Sequence, residues 1–256
     1  MPAIFDSHAH YDAEAFDEDR DALLASLPGK NVVGVVNAAS DAASAQKSVW
    51  LAEKYPFLWA AAGIHPEEAA GAGEEDLAIC RRLLGHPRVV AVGEIGLDYH
   101  YEDACPRETQ LLWFRRQLAL AVELDKPVIV HDREAHEDVL RLLEEFRPRG
   151  VVHCFSGSVE MMRQVVRMGM YIGLGGVVTF KNARKPVEVA AAVPADRLLL
   201  ETDAPYMAPV PFRGRRCDSS LIACTAERIA EIRGVEMTEL LEQTARNART
   251  LFQIEA

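Results

Sequence analysis

The sequence predicts a closed (β/α)8 barrel, and two observations carry that expectation. Eight short apolar runs alternate with longer amphipathic stretches, and metal-ligating residue types fall at the ends of those runs. The runs span residues 3–6, 32–37, 58–62, 89–92, 128–131, 151–153, 171–174 and 198–201. Helical patterns lie between them, near 18–27, 42–54, 74–84, 107–124, 134–146, 158–168 and 184–192, and two more at 220–233 and 237–252 close the chain. Apolar strands each followed by a helix demand parallel pairing with both sheet faces covered. An open doubly wound sheet shares that local signature, so the polar residues must decide. In a closed barrel the C-terminal strand ends meet at one mouth. In an open sheet, strands one, four, five, six and eight would share no common point.

Taken in order, strand one runs into Asp6-Ser7-His8-Ala9-His10. Side chains two apart on extended backbone leave the same face, so both imidazoles can enter the barrel. Strand three is followed by His65, which precedes a proline and is placed to hydrogen-bond a phosphate. Strand four leads into Glu94, strand five ends on His131 and strand six on His153. A buried glutamate is costly unless it is paired or bound to a cation. After strand eight, Glu201 and Asp203 lie two apart and can face the same side. One of them completes a set of imidazoles and carboxylates suited to zinc, manganese or magnesium. The other is left to helix capping or an ion pair with Arg133 or Arg184, and the residues alone do not choose.

Other residues read more plainly. Trp113 and Phe114 fall in a helical run and belong to the core, while His86, His100 and His136 read as solvated. Cys154 follows His153 and is expected on the opposite strand face as a buried thiol. Tyr99, Tyr101, Phe155 and Tyr206 gather near the strand ends, where a ring can stack on a base.

The 256 residues carry no Ser/Gly-rich linker, and one domain over 1–256 is expected. The opening residues show neither a basic region nor an apolar stretch. No apolar run reaches the roughly 18 residues of a membrane helix. The five cysteines form no CxxC pair. Reduced thiols, a cytoplasmic location and no membrane partner are expected. The net charge of −11 argues against a basic surface that coats nucleic acid. It leaves room for a nuclease, because bound divalent cations offset acidic ligands locally. Such a protein holds a polyanion through metals and a few placed arginines, such as Arg133 and Arg213.

Six motifs in order resemble one family closely. They are Asp-Ser-His-Ala-His (6–10), Gly-Ile-His-Pro (63–66), Gly-Glu-Ile-Gly-Leu-Asp-Tyr (93–99), Pro-Val-Ile-Val-His-Asp-Arg (127–133), Val-His-Cys-Phe-Ser-Gly-Ser (152–158) and Glu-Thr-Asp-Ala-Pro-Tyr (201–206). They resemble the TatD-related deoxyribonucleases of the metal-dependent amidohydrolase superfamily, from Phe5 to about Phe252. The resemblance implies a hydrolase of phosphodiesters that uses two divalent ions, Mg, Mn or Zn. One ion would sit on His8, His10, Glu94 and Asp203, the other on His131 and His153, with Glu94 shared. Asp203 and Glu94 would be catalytic, with Asp203 accepting the proton of the attacking water. His65, Arg133, Tyr206 and Arg213 are the expected substrate contacts. The expected substrate is single-stranded or frayed DNA, trimmed from its ends by a monomer. Hydrolysis of an amide, ester or lactone is the alternative, followed by a non-enzymatic assembly role. Many amidohydrolases bridge their metals with a modified lysine at strand four, and Glu94 in that place weighs against the first alternative. Unused buried acids and imidazoles weigh against the second. One departure stands out: where the family typically reads Asn-Glu-Pro, this chain has Cys217-Asp218-Ser219. Asp218 or Ser219 is expected to cap the helix that follows.

Overall fold

A computed structural model describes residues 2–101 and 105–255. Eight parallel strands pair in sequence order: β1 (Ile4–Ala9), β2 (Val32–Asn37), β3 (Leu58–Ala62), β4 (Val89–Asp98), β5 (Val128–Arg133), β6 (Gly150–Val152), β7 (Tyr171–Leu174) and β8 (Leu198–Leu200). Between them run α1 (Arg20–Ser26), α2 (Ala42–Lys54), α3 (Glu74–Leu83), α4 (Arg107–Glu123), α5 (His136–Phe146), α6 (Val159–Arg167) and α7 (Arg184–Ala192). Two last helices, α8 (Ile222–Arg233) and α9 (Met237–Phe252), follow β8.

The chain closes the sheet where β1 meets the segment after β8. Asp203 N donates to His8 O at 3.0 Å and His10 N to Ala204 O at 2.7 Å, and Ser7 Oγ donates to Leu200 O at 3.1 Å. The expected (β/α)8 barrel is therefore the observed one, with its strand ends at one mouth. Inward positions follow the period of two on β5 and β6, while the register shifts on β1 and β4. Ile129 lies two before His131 and Val151 two before His153, and both pack with Phe5, Val36, Ala61 and Leu199. Leu251 and Phe252 of α9 join that cluster. His131 and His153 therefore stand above a close-packed apolar floor.

Several strands run past the last apolar residue. β4 and β5 stay paired through Gly96–His131, Leu97–Asp132 and Asp98–Arg133, so Glu94 is inside a ladder and not beyond one. Backbone pairing is indifferent to side-chain polarity, and polar residues continue a strand wherever their side chains find partners. Trp113 and Phe114 are buried as expected. Asp218 caps the turn before α8, its carboxylate accepting from Ser220 N at 2.8 Å. All five cysteines are free thiols. No helix among the described residues is long and apolar enough to cross a membrane.

Candidate metal centre and substrate cleft

Glu94 lies at the centre of the mouth and is almost wholly buried. Five imidazoles stand within 3.6 Å of its carboxylate: His8 at 3.3 Å, His10 at 3.5 Å, His65 at 3.6 Å, His131 at 2.9 Å and His153 at 2.6 Å. Its two oxygens face different neighbours. Oε2 meets the Nε2 atoms of His8 and His10, and Oε1 meets His131 Nδ1 and His153 Nε2.

The first group is completed by Asp203, whose Oδ1 lies 3.5 Å from His8 Nε2 and 3.3 Å from His10 Nε2. His8 Nε2 and His10 Nε2 are themselves 2.9 Å apart. A four-coordinate ion with bonds of about 2.0–2.1 Å holds its ligand atoms about 3.3–3.4 Å apart. These donors match that spacing. His10 donates Nδ1–H to Ala38 O at 2.9 Å, which leaves a lone pair on Nε2 in the neutral ring. The second group is Glu94 Oε1, His131 Nδ1 and His153 Nε2, with the two ring nitrogens 3.3 Å apart. His131 donates Nε2–H to Asp98 Oδ2 at 3.0 Å, so Nδ1 is the nitrogen that faces Glu94. A carboxylate holding the far nitrogen of an imidazole is the usual support of a metal-ligating histidine. The donor set thus fits divalent metal, with donor atoms gathered at both oxygens of Glu94.

The electrostatics agree with that fit. Burial disfavours charge on Glu94, but the surrounding imidazoles, His153 and His8 foremost, hold its carboxyl well below the usual range. Burial opposes ionisation of Asp203 too, and the bonds from His10 and His8 outweigh it. Burial drives the His153 ring down to about 4 and the His65 ring to about 3. Burial also works against charge on His131, yet its bonds to Asp98 and Glu94 lift it to about 10. Burial opposes charge on His8 and His10 as well, yet Glu94 and Asp203 raise both. Two ionised carboxylates thus hold protons on the neighbouring rings, in the place where a cation would be the partner of both.

His65 differs from the other four. Its Nδ1 accepts from Glu67 N at 3.3 Å, so in the neutral ring Nε2 carries the hydrogen, 3.6 Å from Glu94 Oε1. Glu201, the second acid of its pair, lies behind His153, with Oε1 3.9 Å from its Nδ1, and accepts from Cys154 N. Burial raises its carboxyl to about 8. Gly173 makes room for it, because a Cβ there would fall 2.3 Å from Glu201 Oε2. Neither of the arginine partners expected for it is present. Arg184 pairs with Glu188, and Arg133 stacks over Tyr101 with its guanidinium 5.1 Å from the ring centroid.

A cavity of about 690 Å³ covers the cluster, and His65, Arg133, Asp203 and Tyr206 line it. Arg213 is not among its lining residues; it stacks on Phe180 at 4.0 Å in a neighbouring groove. Cys154 corrects the expectation of a residue on the far strand face. β6 ends at Val152, the chain turns through Cys154 with φ of 43°, and the residue lines the cavity. Of the four aromatic candidates, Phe155 is buried and lines the cavity, and Tyr99 is half-buried with its hydroxyl donated to Asp138 at 2.9 Å. Tyr101 and Tyr206 remain exposed. His86, His100 and His136 lie outside the cavity and pair with Glu53, Glu134 and Asp132. Sequence reading missed two acids. Asp98 orients His131, and its only signal was its place in the 93–99 motif. Asp6 is fully buried and accepts from Thr202 Oγ1 at 2.6 Å, Ser219 Oγ at 2.7 Å and His8 N at 3.2 Å.

Comparison with known proteins agrees with this geometry. A family model described as TatD related DNase matches residues 5–253. The chain is 42% identical over 254 residues to the uncharacterized metal-dependent hydrolase YabD of Bacillus subtilis, covering 98% of this chain and 99% of YabD. It is 35% identical to the 3′-5′ ssDNA/RNA exonuclease TatD of Erwinia tasmaniensis, covering 98% and 100%. The crystal structure of YjjV, a TatD homologue from Escherichia coli, superposes with a TM-score of 0.92 at 34% identity, covering 98% of each chain. The chain belongs to the TatD-related DNase family and is a metal-dependent hydrolase acting on ester bonds.

Proposed function

We propose that the protein is an exonuclease that removes nucleotides from single-stranded or frayed DNA ends with two divalent ions. The carrying observation is Glu94, whose two carboxylate oxygens each face a separate set of donor atoms. Two bound divalent ions would supply a polarised phosphate and a water of lowered pKa. His8, His10, Glu94 and Asp203 would hold one ion, and Glu94, His131 and His153 the other. Asp203 is the more open carboxylate of the cluster, 16% exposed against 3% for Glu94. Ionised and facing the cavity, it accepts the proton of the attacking water. His65 donates Nε2–H to a non-bridging phosphate oxygen. Arg133, which has no carboxylate within ion-pair distance among the described residues, offers its guanidinium to the same phosphate. Tyr206 meets a base at the rim of the cavity. The recessed mouth favours a strand end over an intact duplex, and the relative named a 3′-5′ ssDNA/RNA exonuclease supports the polymer class and direction.

The test is metal-stripped protein incubated with 5′- and 3′-labelled single strands, with Mg, Mn or Zn restored separately. Stepwise shortening from the 3′ end in at least one metal is expected. No cleavage of any strand in any of the three would remove the nuclease assignment.

A further inference from the structure

The mouth of the barrel is electrostatically one-sided. Apart from the cluster itself, the cavity wall carries Asp12, Glu67, Glu68, Asp98 and Asp132, and Arg133 is its one lining arginine or lysine among the described residues. A polyanion whose end is held at the cluster is repelled by most of that rim. A second groove of about 490 Å³ opens beside it and shares Tyr206 and Met207 with the cavity. Its wall has the opposite character, with Arg213, Arg215 and Arg216 and no acidic residue. Arg216 is spent on a two-bond pair with Asp19. Arg213 and Arg215 are exposed and have no carboxylate within 4.0 Å among the described residues. Arg213 is held in place over the Phe180 ring.

Exposed apolar side chains concentrate at the same place. Tyr206 is 59% exposed, and Met207 beside it is also open to solvent. Tyr206 is nonetheless anchored: its N donates to Asp203 O at 2.8 Å and its ring lies 6.5 Å from that of His10. One aromatic thus stands at the junction of the metal-binding cluster and an arginine-lined groove. Stacking surfaces beside unpaired arginines are how proteins hold single strands without reading sequence.

Building on the nuclease reading above, we infer that this second groove seats the part of the strand that remains outside the cluster. The nucleotide next to the scissile phosphate stacks on Tyr206 and Met207, and the following phosphates rest on Arg213 and Arg215. The strand leaves the mouth over the 206–216 segment and avoids the acidic rim.

The test uses metal-loaded protein and compares kcat/KM for a single strand of about twelve nucleotides with that for a dinucleotide. In Arg213→Ala and Arg215→Ala the ratio of long to short is expected to fall about tenfold. The slope of log affinity against log salt for the long strand should become shallower by about 0.7 in each variant. An unchanged ratio and slope, with both substrates still cleaved by the unaltered protein, overturns the groove alone. A collapse of the ratio in Tyr101→Ala instead sends the strand across the opposite rim and also overturns it. Failure of the unaltered protein to cleave either substrate overturns the nuclease reading first, and the groove with it.

Discussion

Asp98 accepts the Nε2–H of His131 at 3.0 Å, and this bond decides which ring nitrogen faces Glu94. Without it the imidazole can flip or change tautomer, and its lone pair leaves the cluster. Asp98→Ala is expected to lower divalent-metal affinity by about 10- to 100-fold while the barrel stays folded. Titration calorimetry on metal-stripped protein measures this. Unaltered affinity would mean that packing alone orients the ring.

Glu94→Ala should act on both halves of the centre at once, because each carboxylate oxygen faces one donor group. Elemental analysis is expected to find both ions lost, whereas His8→Ala should spare the group on His131 and His153. Circular dichroism checks that each variant is folded. Full metal content in Glu94→Ala would remove it from the bridging place.

Asp203→Asn keeps an oxygen beside His8 and His10 but no longer accepts a proton at neutral pH. Single-turnover cleavage is expected to slow by about 100- to 10,000-fold, with oligonucleotide binding changed far less. A near-normal rate would give the base role to another group.

The Ser219 hydroxyl donates to the buried carboxylate of Asp6 at 2.7 Å. Asp6 in turn accepts from His8 N and Thr202, joining β1 to the segment after β8. Ser219→Ala leaves a buried acceptor short of a donor, which costs about 1–3 kcal/mol. Urea denaturation should show that loss as a lower midpoint with unchanged slope.

Asp138 receives Arg141, Arg107 and the Tyr99 hydroxyl, joining α4, α5 and the end of β4. The Arg141 bond is the largest cause that brings its carboxyl from 3.8 down to about 2. A depressed carboxyl stabilises the fold above its unfolded pKa, and that contribution disappears as pH falls from about 4 to about 2. Both arginines are largely exposed, at 63% and 49%, so solvent screening limits the gain to about 1 kcal/mol. Asp138→Asn should be less stable at pH 7 by that amount and equal to the parent at pH 2. Denaturant midpoints at the two pH values decide it.

Much of the architecture was written locally. Eight apolar runs at regular spacing could only be parallel strands with covered faces, and polar donors recurring at their ends required one shared mouth. The positions of His131 and His153 followed from strand periodicity, since Ile129 and Val151 precede them on the inward face, while His8, His10 and Glu94 were legible as ligand types at strand ends. The choice between Glu201 and Asp203 did not follow. Two residues apart on one strand they are equivalent, and only the turn that sends Glu201 to Cys154 and Asp203 to His8 and His10 separates them.

Tertiary structure decided what depends on partners distant in the chain. Asp98 and His131 are 33 residues apart, and nothing near either one announces the bond that sets the tautomer. Cys154 escaped the alternation rule because the strand stops before it, and Arg213 fell into a neighbouring groove because Phe180 holds it there. Periodicity reports which face of an element a side chain leaves from, since that is a property of the local backbone. Which atom it then meets depends on how separate elements pack, and that information belongs to no single stretch of sequence.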